Sequence, residues 1–147
     1  MTCNAIAPTA ATKGVRPFRV LVVEDDRITY SGLVLLLRHY RFEVDVAESL
    51  ANAREKIARG VDLVCLDLIL PDGEGVDLLQ ELKQSSSIPV IVTTASDCPN
   101  RLRRVRNLMP EKLYKKPVNF LDLLDVIKRL SAVETRVETG PGKPGLF

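Results

Sequence analysis

Short apolar runs alternate with longer segments of helical periodicity along the middle of the chain. The runs are rich in β-branched and aliphatic residues and predict five strands, at Arg19–Val23, Val44–Val46, Val61–Leu66, Pro89–Thr93 and Lys112–Tyr114. The first, third and fourth runs are almost continuously apolar, which is typical of strands buried on both faces of a sheet. The second and fifth runs are exceptions and are not continuously apolar.

The segments between these runs carry apolar residues at helical spacing and predict five helices. The first covers Arg27–Tyr40, the second follows a Ser49 cap, and the third follows Gly75. The fourth covers Pro99–Leu108, and the fifth begins after Asn119, a favourable N-cap residue. Alternating strands and helices predict an α/β domain in which helices cover both faces of a parallel sheet. Reactive groups in such folds lie at the carboxyl ends of the strands.

Composition restricts the function classes. The 147 residues are 46% hydrophobic and 27% charged, which fits a folded globular domain and not a disordered chain. The net charge of +2 argues against a dedicated nucleic-acid binder. No apolar run approaches the roughly 18 residues of a membrane span, and the amino terminus lacks the apolar core of a secretory signal. We therefore expect a cytoplasmic protein without direct contact with membrane or nucleic acid.

The two ends differ in composition from the middle. Residues 1–17 are rich in Ala, Thr and Pro, and residues 131–147 end in ETGPGKPGLF. We expect a flexible arm at 1–17, a folded domain at 18–130 and a flexible tail at 131–147. The three cysteines are far apart in sequence and form no CxxC motif, so we expect reduced thiols and no zinc site.

Polar side chains follow four of the predicted strands, at the edge where reactive groups are expected. They are Glu24, Asp25 and Asp26 after the first strand, Asp67 after the third, Thr93 and Thr94 at the end of the fourth, and Lys115 and Lys116 after the fifth. Clustered carboxylates repel one another unless a cation neutralises them, and Mg²⁺ prefers oxygen ligands of this kind. Such a cation also orients a phosphoryl group toward a carboxylate nucleophile. Asp26 fits better as a turn former or helix cap.

Four blocks of sequence carry these residues: VLVVEDD at 20–26, LDLILPDGEG at 66–75, PVIVTTAS at 89–96 and KKPV at 115–118. In residue type and spacing they resemble the receiver domain of two-component response regulators, over about residues 18–130. The resemblance implies a flavodoxin-like, CheY-like fold. This is a doubly wound, five-stranded parallel sheet of order 2-1-3-4-5 with five helices.

The resemblance also implies a role for each residue. Asp67 is expected to be the phosphoacceptor, Thr94 the hydroxyl that closes on the phosphoryl oxygens, and Lys116 the partner of the acceptor carboxylate. Mg²⁺ is expected to bind Glu24, Asp25, Asp67 and the backbone carbonyl of Ile69. The Lys116–Pro117 peptide is expected to be cis.

A receiver module implies particular partners. We expect a histidine kinase or a histidine phosphotransfer protein as phosphodonor, and a downstream effector protein that reads a conformational change in the face formed by the fourth helix, fifth strand and fifth helix. Such a module phosphorylates and dephosphorylates itself and turns over no separate substrate. The chain could act alone or be a piece of a larger regulator or hybrid histidine kinase, and its oligomeric state stays open.

Other protein classes share parts of this pattern. A haloacid-dehalogenase-type phosphatase also uses an aspartyl phosphate, but it needs Asp-x-Asp after the first strand, where this chain has Glu24, Asp25 and Asp26. A flavodoxin-like carrier would need a phosphate-binding loop where these acids lie. A passive scaffold would not need the acids, Thr94 and Lys116 together.

Two features depart from the usual receiver pattern. Receivers usually carry an aromatic residue three positions before the lysine, but here Leu113 stands there and Tyr114 is the next residue. Because side chains alternate along a strand, Tyr114 should point to the opposite face. In addition, residues 101–116 hold seven basic side chains against Glu111 alone. Such a segment is typical of a solvated helix face, of a docking surface for an acidic partner or of a contact with nucleic acid.

Overall fold

Strands and helices alternate along residues 16–139, the part of the chain that the computed structural model describes. The strands are β1 (Arg19–Val23), β2 (Glu43–Ala47), β3 (Leu63–Asp67), β4 (Ile69–Leu70), β5 (Gly73–Glu74), β6 (Val90–Thr94) and β7 (Lys112–Lys115). The helices are α1 (Arg27–His39), α2 (Leu50–Ala58), α3 (Gly75–Ser85), α4 (Pro99–Leu108) and α5 (Phe120–Thr139).

Five of the strands form one parallel sheet in the order β2-β1-β3-β6-β7. The short strands β4 and β5 pair only with each other, as an antiparallel hairpin directly after β3. With that hairpin set aside, the order is the 2-1-3-4-5 order expected from the sequence, and the predicted fold class is confirmed.

The sheet separates two apolar cores. Alternate residues of β1 point to opposite faces: Leu21 and Val23 pack against α2, α3 and α4, whereas Val20 and Val22 pack against α1 and α5. The central strands are buried on both sides, which explains their continuous apolar runs. Each fully buried aliphatic side chain stabilises the fold by roughly 2 kcal/mol relative to an exposed one.

Side-chain caps at Ser49 and Asn119, and a proline at the first helical position of α4, mark where three helices begin. The Ser49 hydroxyl accepts a hydrogen bond from the Asn52 N–H at 3.1 Å, and Pro99 is the first residue of α4. The Asn119 amide oxygen accepts hydrogen bonds from the N–H groups of Leu121 and Asp122. These contacts confirm the predicted starts. Within residues 16–139, no helix combines the length and the apolar character that a membrane crossing requires.

The two ends of the described range differ from the expected boundaries. Residues 131–139, expected in the flexible tail, continue α5 to Thr139. They contain neither Gly nor Pro, and the helix-breaking residues begin only at Gly140. At the other end, Arg16, expected in the arm, forms an ion pair with Asp62 at 2.6 Å. The rest of the predicted arm and tail, including Cys3, lies outside the described residues.

Candidate functional site

The carboxyl ends of four strands meet at one edge of the sheet and bring the predicted site residues together. Glu24 follows β1, Asp67 ends β3, Thr94 ends β6 and Lys116 follows β7. The Glu24 N–H donates to the Ala47 carbonyl at 3.0 Å, and the Lys116 N–H donates to the Thr94 carbonyl at 2.8 Å. Parallel pairing therefore continues past the strand ends and fixes the backbone of the site.

Three carboxylates form the centre of this edge. Oxygen atoms of Glu24, Asp25 and Asp67 lie within 4.8 Å of one another. Glu24 and Asp67 are buried, at 4% and 6% exposure, whereas Asp25 is exposed. The Lys116 ammonium donates to Glu24 Oε1 at 2.5 Å and lies 3.4 Å from Asp67 Oδ2. One lysine thus neutralises part of the charge of three clustered acids.

The electrostatics of the cluster follow from burial and proximity. Burial, together with the charge of Glu24, raises the pKa of Asp67 to about 6, although Lys116 and the N–H of Ile69 oppose this shift. Burial alone would lower the pKa of Lys116, but its hydrogen bond to Glu24 and the charge of Asp67 raise it instead. Lys116 therefore stays protonated at neutral pH, where most of Asp67 is ionised.

The donor set of the cluster suits a hard divalent cation. Two ligands of one Mg²⁺ ion are about 3–4 Å apart, so oxygens within 4.8 Å of one another need only a small movement or a bridging water. A dication would also relieve the mutual repulsion of Glu24, Asp25 and Asp67. Ile69, whose carbonyl was expected as a fourth ligand, lies beside them, since its N–H is 3.5 Å from Asp67 Oδ1. The three carboxylates fit Mg²⁺, and the Ile69 carbonyl stays a predicted ligand.

Thr94 lies at the same edge in a well-defined contact. Its hydroxyl oxygen accepts a hydrogen bond from the Ser96 N–H at 2.9 Å, and both residues are buried. The register pairs Asp67 with Thr93, so Thr94 is one residue further along the neighbouring strand. The Lys116–Pro117 peptide is cis, as expected.

Two other titratable residues, Asp26 and His39, lie outside the cluster. Asp26 is the N-cap residue of α1 and accepts a hydrogen bond from the Thr29 hydroxyl. It does not join the three carboxylates, so the Asp-x-Asp arrangement of the phosphatase alternative does not form. His39 lies at the far end of α1, where its ring packs edge-on against Tyr40.

The loop after Asp67 is held by contacts that the sequence analysis missed. The carboxylate of Asp72 accepts hydrogen bonds from the N–H groups of Leu50 and Ala51, at 2.8 and 3.0 Å, and so caps α2 from outside. The N–H of Gly75 donates to the Leu68 carbonyl at 2.7 Å. These contacts join residues far apart in sequence or depend on backbone geometry, so no local pattern indicated them.

Most basic residues of the 101–116 segment are paired within the chain. Arg101 pairs with Glu74, Arg104 with Asp77, Lys115 with Asp97, and Lys116 with Glu24 and Asp67. This pairing reduces the positive charge that an acidic partner would meet. The adjacent residues Leu113 and Tyr114 pack into different cores, Leu113 on the α4 side and Tyr114 on the α5 side, so the predicted opposite orientation is confirmed.

Comparisons with known proteins agree with this architecture. Residues 20–128 match the family described as response regulator receiver domain. The sensory transduction protein RegX3 of Mycolicibacterium smegmatis is 42% identical over 79 residues, which cover 53% of this chain and 35% of that protein. The two-component response regulator ORR11 of Oryza sativa subsp. japonica is 29% identical over 132 residues, 86% of this chain and 90% of that protein.

A solved structure shows the same fold. The receiver domain protein (CheY-like) from Methanospirillum hungatei JF-1 superimposes with a TM-score of 0.75 at 28% identity, covering 82% of this chain and 99% of that one. The chain spans only about a third of the length of the mycobacterial relative that it matches. The family match at residues 20–128 includes the four strand ends described above. This chain therefore belongs to the response regulator receiver domain family.

Proposed function

We propose that this chain is the phosphoacceptor module of a two-component phosphorelay and that Asp67 accepts the phosphoryl group. Receiver domains are signalling modules, which fits a chain that modifies itself and turns over no separate substrate. The observation that carries the proposal is the environment of Asp67, a buried carboxylate beside two other acids and 3.4 Å from the Lys116 ammonium.

The proposed reaction is a displacement at phosphorus. A carboxylate oxygen of Asp67 forms the new O–P bond. The bond from phosphorus to the donor's imidazole nitrogen breaks, and its electron pair leaves with the imidazole. Phosphoryl transfer depends mainly on positioning and charge stabilisation. Asp67 supplies the nucleophile in its ionised form, which predominates at pH 7 because its pKa is about 6.

The other residues of the edge stabilise the charge that develops. Lys116 keeps its proton and offers a fixed positive charge to the phosphoryl oxygens next to Asp67. Glu24, Asp25, Asp67 and the carbonyl of Ile69 would hold Mg²⁺. When bound, this ion neutralises the acids and orients the incoming anionic donor. The Thr94 hydroxyl then donates a hydrogen bond to a phosphoryl oxygen.

The partners follow from this chemistry. A histidine kinase or a histidine phosphotransfer protein supplies the phosphoryl group in the cytoplasm, and an effector reads the modified face formed by α4, β7 and α5. The folded domain at about 18–130 carries all of this machinery. It works either alone or as part of a longer regulator or hybrid kinase. The relatives named above fit both cases, because the match covers 35% of RegX3 but 90% of ORR11.

The test is direct phosphorylation by acetyl phosphate, followed by intact-mass spectrometry. We expect one added phosphoryl group in the presence of Mg²⁺, none in EDTA, and none in Asp67→Asn. Asp25→Asn should lose most of the labelling because it removes a metal ligand. Asp26→Asn is the matched control and should keep it, since the Asp26 carboxylate accepts from the Thr29 hydroxyl and does not belong to the cluster. Labelling of Asp67→Asn equal to the parent would refute the assignment.

A further inference from the structure

Arg101 joins two loops on either side of the site. Its guanidinium donates to both carboxylate oxygens of Glu74, at 2.8 and 2.9 Å, and to the Ser96 hydroxyl oxygen at 2.7 Å. A bidentate pair with a third hydrogen bond fixes both the position and the orientation of the guanidinium plane. We call this three-residue contact of Arg101, Glu74 and Ser96 the arginine bridge.

One end of the arginine bridge rests on the loop that follows Asp67. Glu74 belongs to β5 and pairs in register with Ile69 of β4. Ile69 is the second residue after Asp67, and its N–H lies 3.5 Å from Asp67 Oδ1. The position of Glu74 is therefore tied, through one short hairpin, to the backbone beside the acceptor carboxylate.

The other end of the arginine bridge contacts the turn at residues 94–98, which we call the Thr94 turn. The Ser96 N–H donates to the Thr94 hydroxyl oxygen at 2.9 Å, and the Ser96 hydroxyl accepts from the Cys98 N–H at 3.2 Å. Ser96 is buried, and the side chain of Arg101 is 23% exposed. Arg101 thus stabilises the Ser96 position from which the Thr94 hydroxyl receives its hydrogen bond.

A neighbouring arginine shows what is particular to Arg101. Arg104 lies on the same helix and also reaches α3, where it donates to Asp77 and Gln80. Its side chain is 46% exposed. Both of these hydrogen-bond acceptors belong to α3, and neither lies in the two loops. Arg104 therefore links α4 to α3. Arg101 instead links the loop that follows Asp67, through Glu74, to the turn that contains Thr94, through Ser96.

We propose that Arg101 is a positioning residue whose bridge holds the Thr94 turn in the arrangement of the unphosphorylated chain. The inference rests on the proposed function of Asp67. The inference takes the Thr94 hydroxyl to move toward a phosphoryl oxygen on Asp67, which draws it away from the Ser96 N–H from which it accepts a hydrogen bond and pulls on the turn. The arginine bridge opposes that movement, because its contacts to Ser96 and Glu74 favour the arrangement of the unphosphorylated chain over the one in which Thr94 has moved toward Asp67. Arg101 therefore sets how readily the site closes around a phosphoryl group.

The experiment is a titration of ¹⁵N-labelled chain with beryllofluoride and Mg²⁺, followed by NMR. Beryllofluoride mimics the phosphoryl group on Asp67. In Arg101→Ala we expect affinity for beryllofluoride to rise about fivefold, the equivalent of one partly exposed charged contact. In the same variant without ligand, the amide signals of residues 94–98 should already lie part of the way toward their bound positions. A general loss of stability would not move these signals from their free positions toward their beryllofluoride-bound positions.

Two further variants make the test specific. Arg104→Ala is the matched control and should leave both the affinity and the free amide positions as in the parent. Glu74→Gln, which keeps the Arg101–Ser96 contact and weakens the ion pair, should move both quantities in the same direction as Arg101→Ala but less. If Arg101→Ala matches Arg104→Ala, or binds beryllofluoride more weakly than the parent, the positioning role is wrong. If the parent chain itself takes no beryllofluoride, the proposed function fails, so the two failures are distinguishable.

Discussion

At the residue scale, the burial of Asp67 beside Glu24 makes the stability of the metal-free chain depend on pH. The pKa of Asp67 is about 6 in the folded chain and 3.8 in its ordinary state. The folded chain therefore binds more protons at this group between about pH 4 and pH 6, and the contribution of Asp67 to the free energy of unfolding falls as pH rises through that range.

We predict that Asp67→Asn is more stable than the parent at pH 7 in EDTA and that this advantage disappears near pH 4. The amide carries no charge at either pH, so it escapes both the cost of burying a charge and the repulsion by Glu24. After allowance for solvent screening, the advantage should be on the order of 1 kcal/mol. Urea unfolding of both proteins at pH 4, 5, 6 and 7 measures it. An advantage that stays constant over this range would show that Asp67 does not titrate as described.

Comparing Asp67→Asn with the parent at each pH removes the contribution of other acids to the free energy of unfolding. Several carboxylates have lowered pKa values in the folded chain, among them Asp62 and Glu74, because basic side chains and N–H groups surround them despite partial burial. Their stabilisation is present at neutral pH and is lost as the pH falls, which is the opposite sign to Asp67. Since both proteins contain them, they cancel in the difference.

At the element scale, the start of α3 is packed directly against the acceptor strand. A Cβ atom on Gly75 would lie 2.2 Å from the carbonyl oxygen of Asp67 and 2.8 Å from Cα of Leu68. Both are backbone atoms that cannot move without shifting the end of β3. Only a glycine lets the helix begin this close to the site.

We predict that Gly75→Ala lowers the free energy of unfolding by about 3 kcal/mol, through overpacking against this backbone. Gly32→Ala is the matched control, because a Cβ there would meet only the flexible ring of Phe120, at 3.3 Å. Within α1, alanine is favoured over glycine by about 1 kcal/mol, so this variant should lie within about 1 kcal/mol of the parent. Urea unfolding compares them, and equal losses in both variants would contradict the close approach at Gly75.

The sequence predicted those elements that have a local signal. The central strands are continuous apolar runs because they are buried on both faces, and the helices carry caps such as Ser49 and Asn119. Glu24, Asp67 and Lys116 could be placed together because parallel strands end at one edge. The hairpin of β4 and β5 was missed because two-residue strands show no periodicity. The partners of Arg101 could not be predicted, since they depend on how α4 is rotated against the loops.

At the scale of the whole molecule, the two cores separate the residues that could report phosphorylation. Leu113 packs on the α4 side of the sheet and Tyr114 on the α5 side. Thr94 precedes the loop into α4, its hydroxyl accepts a hydrogen bond from Ser96 in that loop, and Arg101 of α4 donates to the Ser96 hydroxyl. A movement of Thr94 is therefore transmitted to α4 through the residues of this loop, whereas Tyr114 packs in the core on the other side of the sheet.

We predict that beryllofluoride and Mg²⁺ shift the amide signals of residues 100–108, which follow Pro99 in α4, more than that of Tyr114. The helix moves with the loop that precedes it, whereas Leu113, at the position usual for an aromatic residue, has no polar tip to alternate between water and interior. Amide chemical shifts in the parent chain measure this, with Asp67→Asn as the control that should show neither change. Large shifts at Tyr114 with a silent Pro99–Leu108 segment would overturn this path.

The direction of the strands has a practical consequence for attaching labels. All five strands of the sheet run toward the carboxylates, so β1 starts at the opposite edge, where Arg16 is held by Asp62. Helix α5 starts near Lys116 and runs back toward that same opposite edge, ending at Thr139. A fluorescent protein or an immobilisation tether joined before residue 16 or after residue 139 would therefore begin on the side remote from Asp67. Either attachment should leave the carboxylate cluster around Asp67 accessible in single-molecule or surface-binding measurements.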